Sequence, residues 1–245
     1  MRVKDVLGSC GIADSAVYLG YGSADQHLSG DPEKDVISRG VPMWKALEEE
    51  SLIAFAMNGE DIPLLHGAPL RLVCGGWPGS VSGKWRTDRL VRDRVDDGAK
   101  MTGTSYRVPC RPVAPGSNVA DEDLCIIESM PVKSLVTYPE SGVTTAAGRP
   151  MEVRGKAWAG DRAVSSVATS SDFGQTWPAA RLEPAPNRLA WQSSATRVSL
   201  PLPGYYEIWA RAIDDAGTSQ PMLVPGWNPM GSLTNACHRI AVQAS

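Results

Sequence analysis

The second half of the chain constrains the fold most, because short strand-like segments follow one another there with little sequence between them. From MPVKSLVTYPESG onward, these segments end in glycine, proline, serine or aspartate. YYEIWARAID shows an alternation that predicts one buried face and one wetter face. The residues of the buried face are Tyr206, Ile208, Ala210 and Ala212, and those of the wetter face are Glu207, Trp209 and Arg211. About seven strands in about 115 residues is typical of an immunoglobulin-like β-sandwich. We therefore predict an all-β, immunoglobulin-like domain over residues 129–245.

The first half mixes helical and strand-like patterns. MRVKDVLGSCGI places Val3, Val6 and Leu7 on one face of a short amphipathic helix that glycine can end. VPMWKALEEE predicts a second helical stretch, and a buried strand from Leu52 to Met57 follows it. The Asn58-Gly59 pair then predicts a tight turn. PLRLVCGG indicates another strand and WPGSVSGKW a glycine-rich loop, so the expected class of this half is mixed α+β.

A connector separates the two halves. Residues 107–123, RVPCRPVAPGSNVADED, are rich in proline and show no periodicity, as expected of chain running over a surface. We place the boundary after this connector, giving domains at residues 1–128 and 129–245.

Charge and composition argue against several classes of partner. The formal net charge is -3 and the sequence pI is about 5.7, with no basic run that could neutralise a row of phosphates. We expect no nucleic-acid partner. No window approaches the roughly 18 consecutive apolar residues of a membrane span, and no export signal follows Met1, so we expect no membrane partner. The compartment stays open.

The cysteines are odd in number and scattered, without the spacing of a zinc site. We expect free thiols in a reducing compartment. The residues concerned are Cys10, Cys74, Cys110, Cys125 and Cys237.

One group of residues stands out for its chemistry. HGAPLRLV places His66 and Arg71 across a turn into a strand, and the glycine-rich loop then supplies Ser82, Gly83 and Lys84. Imidazole, guanidinium and ammonium groups beside exposed backbone N–H groups would form an anion cradle. The alternative is that His66 caps a turn while Arg71 and Lys84 are solvated surface charges. Sequence alone leaves both interpretations open.

Two further candidates are weaker. Asp25 lies in the turn-like YGSADQ, and Tyr106 lies in GTSYRVP just before the connector. A single tyrosine beside a linker is more often a packed aromatic with a hydrogen-bonded tip. The triplet Asp172–Gly174 in DFGQTW is interpreted as a turn, with Trp177 packing in the sandwich core.

Three motifs occur in order along nearly the whole chain: AFAMNGEDIPLLHGAPLRLV, GWPGSVSGKW and PGWNPMGSLTNACHRI. Through them the sequence resembles the sulfite oxidase family, including bacterial sulfite dehydrogenases. The resemblance implies a mixed α+β domain that binds a molybdenum-molybdopterin cofactor, followed by an immunoglobulin-like dimerisation domain. It also implies oxidation of sulfite to sulfate by oxygen-atom transfer, electron transfer to a cytochrome c-type acceptor, and a homodimer formed through the C-terminal domain.

The resemblance also assigns roles to residues. His66 and Arg71 match the family's pterin and phosphate contacts, and the loop that continues these contacts is matched by Ser82, Gly83 and Lys84. Asp25 matches an aspartate near the pterin. Tyr106 matches the active-site tyrosine beside the metal.

The sequence also departs from the family pattern. Family members begin upstream of RVKDVL, and that upstream segment supplies the thiolate ligand of molybdenum and the arginines that hold the substrate. No cysteine of this sequence matches the ligand, so we assign no metal ligand. One expectation is a family member whose recorded start is too late or which is one piece of a split gene. The other is a catalytically inactive, truncated relative that serves as a binding or dimerisation module. An unrelated immunoglobulin-like adhesion or sugar-binding module is disfavoured, because it leaves the motif-bearing first half unexplained.

Overall fold

The computed structural model describes residues 1–224, 226–228 and 230–245, with the side chains of residues 86–89 left undescribed. The chain is mainly β and divides into two compact units. The first unit comprises Met1–Arg111, Gly116–Ser129 and Asn228–Ser232, and the second comprises Pro112–Pro115, Met130–Trp227 and Leu233–Ser245.

The first unit contains two short α-helices, several short strands and three single turns of 3-10 helix. The helices are α1 (Val3–Cys10) and α2 (Met43–Ala46). The strands are β1 (Tyr18–Ser23), β2 (Arg39–Pro42), β3 (Ser51–Ala54), β4 (Ala56–Met57), β5 (Glu60–Asp61), β6 (Arg71–Cys74), β7 (Arg86–Arg92), β8 (Arg107–Pro109) and β9 (Leu124–Ile126). The 3-10 turns are Leu64–His66, Gly79–Val81 and Asp121–Asp123.

Strands of the first unit form small antiparallel sheets around one apolar core. The order in the largest is β2-β1-β7, and the pairs β3-β6, β4-β5 and β8-β9 form two-stranded sheets. Helix α1 buries Val3 and Leu7 in the core, as its sequence pattern predicts, and is capped at its C-terminus by Gly11, whose φ is 78°.

The tight turn predicted at Asn58-Gly59 is confirmed. Asn58 and Gly59 have φ values of 56° and 85°, and they join the paired strands β4 and β5. Two successive positive φ angles are what a type I′ hairpin turn requires, which is why Asn-Gly is favoured there.

The expected buried strand from Leu52 to Met57 is only partly correct. Ile53 is buried in β3, but Phe55 and Met57 are exposed. The segment is divided into β3 and β4 because β3 pairs with β6 whereas β4 pairs with β5.

The second predicted helical stretch is also shorter than expected. It ends at Ala46, and the Ser51 hydroxyl donates a 2.6 Å hydrogen bond to the Lys45 carbonyl. That hydrogen bond gives the carbonyl a partner that a longer helix would otherwise provide. The first unit is therefore mostly β with short helices, and mixed α+β describes it only loosely.

The second unit is built from two four-stranded sheets. Its strands are β10 (Lys133–Tyr138), β11 (Val143–Thr145), β12 (Met151–Trp158), β13 (Val164–Ser170), β14 (Arg181–Leu182), β15 (Gln192–Val198), β16 (Gly204–Asp214) and β17 (His238–Ala244). One sheet has the order β10-β12-β15-β14 and the other β11-β17-β16-β13. An apolar core draws on both sheets, and its buried members are Val136, Val153, Leu200, Ile208, Ala210, Ile240, Val242 and Ala244. The predicted alternation in β16 is only partly correct: Ile208, Ala210 and Ala212 are buried, but so is Trp209, which the pattern assigns to the wetter face.

A buried glutamine ties the two sheets together. The Gln220 side-chain oxygen accepts hydrogen bonds from Ser134 N at 3.0 Å, Ser134 Oγ at 2.8 Å and Ala212 N at 3.1 Å. Its amide nitrogen donates to the Ala236 carbonyl at 2.9 Å. Since Ser134 lies on β10 and Ala212 on β16, this one side chain joins strands of opposite sheets.

Two expectations from the sequence are wrong here. Cys110 and Cys125 form a disulfide, because the pairing of β8 with β9 brings their Cα atoms within 5.1 Å. The other three cysteines, Cys10, Cys74 and Cys237, are not in disulfides. Trp177 does not pack in the sandwich core. It is half-buried beside the turn, where Arg211 lies 3.9 Å from its ring centroid.

Over the part of the chain that the structure describes, the helices are all too short or too polar to cross a bilayer.

Candidate cofactor and anion site

The first strand of the candidate site is β6, which begins at Arg71. One terminal nitrogen of Arg71 donates to the His66 carbonyl at 3.0 Å, and the other donates to the Ser82 carbonyl at 3.1 Å. Arg71 therefore holds the His66 turn against the glycine-rich loop. Since Ser82 lies eleven positions after Arg71, segments that are separate in sequence form one site.

Lys84 makes the second link between this loop and the turn. Its Nζ donates to the Leu65 carbonyl at 3.0 Å and lies 4.4 Å from the centroid of the Trp85 ring. Trp85 Nε1 in turn donates to the Leu64 carbonyl at 3.1 Å. Lys84 and Trp85 thus both anchor on the 3-10 turn that ends at His66.

Gly67 allows this close approach. Its φ is 109°, a value that L-amino acids with side chains rarely adopt, and a Cβ at this position would lie 3.0 Å from Lys84 Cβ and 3.1 Å from Arg71 Cβ. The other loop residues are fixed along β6. Ser82 Oγ accepts from Cys74 N at 3.0 Å, and the Gly83 carbonyl accepts from Leu72 N at 2.9 Å.

The electrostatics of this turn favour an anion. Within the described residues, no carboxylate lies within 4.0 Å of Arg71 or Lys84. Lys84 can donate three hydrogen bonds, and His66 is exposed. The turn therefore presents positive charge and free donors, an arrangement that suits a phosphate or another oxyanion.

Asp25 lies on a segment that reaches the same loop. Its carboxylate accepts a hydrogen bond from Ser23 Oγ at 2.9 Å, and the neighbouring Ala24 N donates to the Trp85 carbonyl at 2.9 Å. The structure thus brings together the segments of six of the seven predicted site residues: Asp25, His66, Arg71, Ser82, Gly83 and Lys84.

Tyr106 belongs to a different cluster. It has a φ of 53°, and its carbonyl accepts from Ile127 N at 3.0 Å. Its ring lies over the guanidinium group of Arg39, with 4.8 Å between the Arg39 guanidinium carbon and the ring centroid. Among the described residues, no hydrogen bond or ring contact of Tyr106 reaches the His66 turn.

Sequence reasoning missed Arg39. It starts β2, and it is only 1% exposed. One terminal nitrogen donates to the Lys100 carbonyl at 2.9 Å and contacts Met101 Sδ at 3.1 Å, whereas Nε and the other terminal nitrogen are buried without a hydrogen-bond partner among the described residues. Burial lowers the pKa of Arg39. The only signal in the sequence was a single arginine in the largely apolar run VISRGVPMW.

Tyr18 lies in the same electrostatic environment. Burial, with the negative charge of Glu128 as the next cause, raises its pKa to about 12, and its hydroxyl is buried without a partner in the described part of the chain. Its phenol therefore stays protonated at neutral pH.

Side chains that bind metals do not gather anywhere in the described part of the chain: no group of three or more His, Cys, Asp or Glu is placed to hold an ion.

Family comparisons agree with this division into two units. Residues 1–99 match the model described as oxidoreductase molybdopterin binding domain, and residues 125–245 match the Mo-co oxidoreductase dimerisation domain. Both matches are to domains of molybdopterin-dependent oxidoreductases, and this is the class of protein to which the two units correspond.

The more particular assignment comes from relatives. The chain is 31% identical over its whole length to the mitochondrial sulfite oxidase of Homo sapiens, covering 46% of that protein. It is 27% identical over 99% of its length to a nitrate reductase [NAD(P)H] of Hordeum vulgare, covering 29% of it. The chain belongs to the sulfite oxidase family, and it spans less than half the length of these relatives.

A solved structure supports the fold. The sulfane dehydrogenase SoxCD of Paracoccus pantotrophus superimposes with a TM-score of 0.79 and 24% identity, over 99% of this chain and 59% of that one.

Proposed function

We propose that this chain is the part of a sulfite-oxidising molybdenum enzyme that binds the molybdopterin cofactor and forms the dimer. The reaction is the oxidation of sulfite to sulfate by oxygen-atom transfer, with electrons passed to a cytochrome c-type acceptor. The observation that carries the proposal is the positively charged turn around His66, Arg71 and Lys84, which lies inside the segment matched to a molybdopterin-binding domain.

The side chains around this turn have different proposed roles in binding the cofactor. Lys84 and His66 contact the phosphate and pterin, because the Lys84 ammonium group has N–H groups beyond the one bonded to Leu65 and His66 is exposed. Arg71 chiefly holds the loop, since both of its terminal nitrogens donate to backbone carbonyls. Ser82 and Gly83 keep the loop beside β6, and Asp25 accepts hydrogen bonds from the pterin. When bound, the cofactor supplies the oxygen-atom transfer itself, and the protein supplies position and positive potential.

Tyr106 is the proposed catalytic residue. Tyr106 is 37% exposed as a residue and its ring lies over the guanidinium group of Arg39, so it can meet a substrate that enters from solvent. In this role it donates a hydrogen bond to the oxyanion and positions it. It lies in the first of the two proposed domains, residues 1–128 and 129–245.

The second domain is proposed to form a homodimer through an immunoglobulin-like sandwich. Support comes from its two packed sheets and from the match to a dimerisation domain. Light scattering coupled to gel filtration tests this point: a mass of twice 26.2 kDa is expected, and a monomer at all concentrations would contradict it.

The decisive experiment measures molybdenum and pterin in the 245-residue chain purified from a host that makes the cofactor. We expect pterin to copurify with the chain, and sulfite to reduce added cytochrome c in proportion to the metal content. Absence of pterin would instead favour a non-catalytic binding or dimerisation module.

A further inference from the structure

The outer face of one sheet of the second unit contains a pocket between strands β12 and β14. Val153 of β12 lies in the apolar core, so its neighbour Arg154 points to the opposite, outer face. Arg154 and Arg181 both pair with Ala195, one from each side of β15. Ala195 and Ser193 have short side chains and form the floor. Because long side chains flank short ones, this part of the sheet forms a depression instead of a flat surface.

The size of the pocket suits a small organic molecule. Its volume is about 520 Å³, within the range of about 300–1,000 Å³ that is usual for ligand sites. Thr137 and Tyr138, on the adjacent strand β10, add a hydroxyl group and an aromatic ring to the lining. The pocket therefore has room for an organic group as well as for an anion.

The lining has a surplus of positive charge. Its charged members are Arg154, Lys156, Arg181, Glu152 and Glu183. Arg154 Nε lies 3.8 Å from the Glu152 carboxylate, and Arg181 lies 2.5 Å from the Glu183 carboxylate. Both pairs are exposed, and such pairs contribute little because water screens them and their long side chains lose conformational freedom. An anionic ligand can therefore compete with either carboxylate for its arginine.

Two of the cations are already positioned for a ligand. Lys156 is partly buried, and its Nζ donates to Ser193 Oγ at 2.8 Å. Over the described residues, no carboxylate lies within 4.0 Å of this ammonium group, and further N–H groups remain for a ligand. The Arg154 guanidinium lies over the Tyr138 ring, with its carbon 4.4 Å from the ring centroid. Holding a side chain in place in this way lowers the entropy cost of binding.

We propose that this pocket binds a small phosphomonoester through Arg154, Lys156 and Arg181. Its phosphate group carries a charge of about -1.5 to -2 at neutral pH and has three acceptor oxygens, which match the three cations. The planar guanidinium groups suit phosphate oxygens, and a carboxylate offers less charge and only two oxygens. The organic group lies toward Thr137 and Tyr138. This site does not rest on the proposed function, since none of its residues takes part in the proposed cofactor site.

The first experiment locates the ligand without any substitution. The full chain is treated with a reagent that acetylates lysine, and the reaction of each lysine is followed by mass spectrometry. Glucose 6-phosphate is the probe, and glucose with chloride at equal ionic strength is the reference. We expect the probe to slow the acetylation of Lys156 to a saturable limit and to leave exposed Lys34 unchanged. Equal rates at Lys156 under the two conditions overturn the proposal.

Substitution then tests the affinity by calorimetry. Arg181 has a side chain that is 71% exposed, so Arg181→Gln should fold normally. We expect it to weaken the binding of glucose 6-phosphate by about tenfold, because a charge-assisted contact is lost. Arg149→Gln makes the same change of charge in the turn before β12, outside the pocket, and should leave the affinity unchanged. Equal affinities in the two variants overturn the proposal.

The chemical class and the location of the bound phosphate are tested separately. Gluconate, a carboxylate of similar size, should bind at least about tenfold more weakly than glucose 6-phosphate. Equal or tighter binding of gluconate overturns the choice of a phosphomonoester. Lys84→Gln alters the cationic turn of the first unit and should leave the protection of Lys156 intact. Loss of glucose 6-phosphate binding in Lys84→Gln, with full binding in Arg181→Gln, would assign the phosphate to that turn and overturn the pocket as its site.

Discussion

The ammonium group of Lys84 donates a 3.0 Å hydrogen bond to the carbonyl oxygen of Leu65, nineteen residues earlier in the chain. This contact fixes the end of the glycine-rich loop on the turn that carries His66. Because the partner is a backbone carbonyl, the lysine keeps its full positive charge for a ligand. Position and charge at this site therefore depend on the same side chain.

Replacing Lys84 with glutamine should weaken cofactor binding. The change removes a charge-assisted hydrogen bond, so we expect pterin affinity to fall by at least about tenfold. Lys34→Gln is the matched control, since exposed Lys34 forms an ion pair with Asp31 and lies outside the residues of the candidate site. Pterin released from each purified variant is measured by fluorescence. Equal retention in the two variants would remove Lys84 from the cofactor site.

The disulfide between Cys110 and Cys125 predicts a specific pattern of thiol reactivity. In the native chain only Cys10 is exposed and free, so one thiol should react rapidly with a thiol reagent. Three should react after denaturation without reductant, and all five after reduction. Substituting both bridged cysteines with serine should lower the free energy of unfolding by about 3 kcal/mol, measured in urea, because a loop of 15 residues is released. Five reactive thiols without reductant would show that the bridge is absent.

The sequence predicted local features whose cause is local. Helix α1, the Asn58-Gly59 turn and the strands of the second unit depend on side-chain periodicity and turn chemistry within a few residues. The cationic turn was found for the same reason, since His66 and Arg71 are close in sequence and the glycine-rich loop follows shortly after.

Features that depend on distant pairing could not be predicted. The Cys110–Cys125 bridge follows from the register of β8 with β9, and a scattered set of cysteines does not reveal that register. Arg39 looked like an ordinary charge because its burial depends on Met101 and Tyr106, more than sixty residues later in the chain. The prediction of a longer second helix was wrong because the Ser51 hydroxyl donates a hydrogen bond back to the Lys45 carbonyl, and side-chain periodicity does not reveal this contact.

Gln220 should be critical to the stability of the second unit. Gln220→Leu keeps a similar volume but leaves the buried N–H groups of Ser134 and Ala212 without their acceptor, so we expect a loss of about 3 kcal/mol in the free energy of unfolding. Gln243→Leu, on the exposed side of β17, serves as the control. Urea denaturation followed by tryptophan fluorescence gives the values. Similar losses in the two variants would contradict a bridging role for Gln220.

Asp172 should make the stability of the second unit depend on pH at the acidic end. Its carboxylate accepts hydrogen bonds from Ser170 Oγ at 2.6 Å and from Thr176 N at 3.0 Å, and these contacts lower its pKa from 3.8 to about 2. Because the folded pKa lies below the unfolded value, the stabilisation is complete above about pH 4 and disappears as the pH falls through about 2.

The test compares the wild type with Asp172→Asn by urea denaturation from neutral pH down to about 2. We expect the wild type to be more stable at neutral pH and the difference to shrink as the carboxylate is protonated, since protonation removes the charge that the asparagine also lacks. Asp14→Asn, an exposed aspartate in the first unit, controls for the change in net charge. A difference in the free energy of unfolding between wild type and Asp172→Asn that stays constant across the titration would contradict this prediction. It would mean that the hydrogen bonds around Asp172 do not favour its ionised form. The geometry of the DFGQTW turn would then depend on Gly174 and on the contact between Trp177 and Arg211.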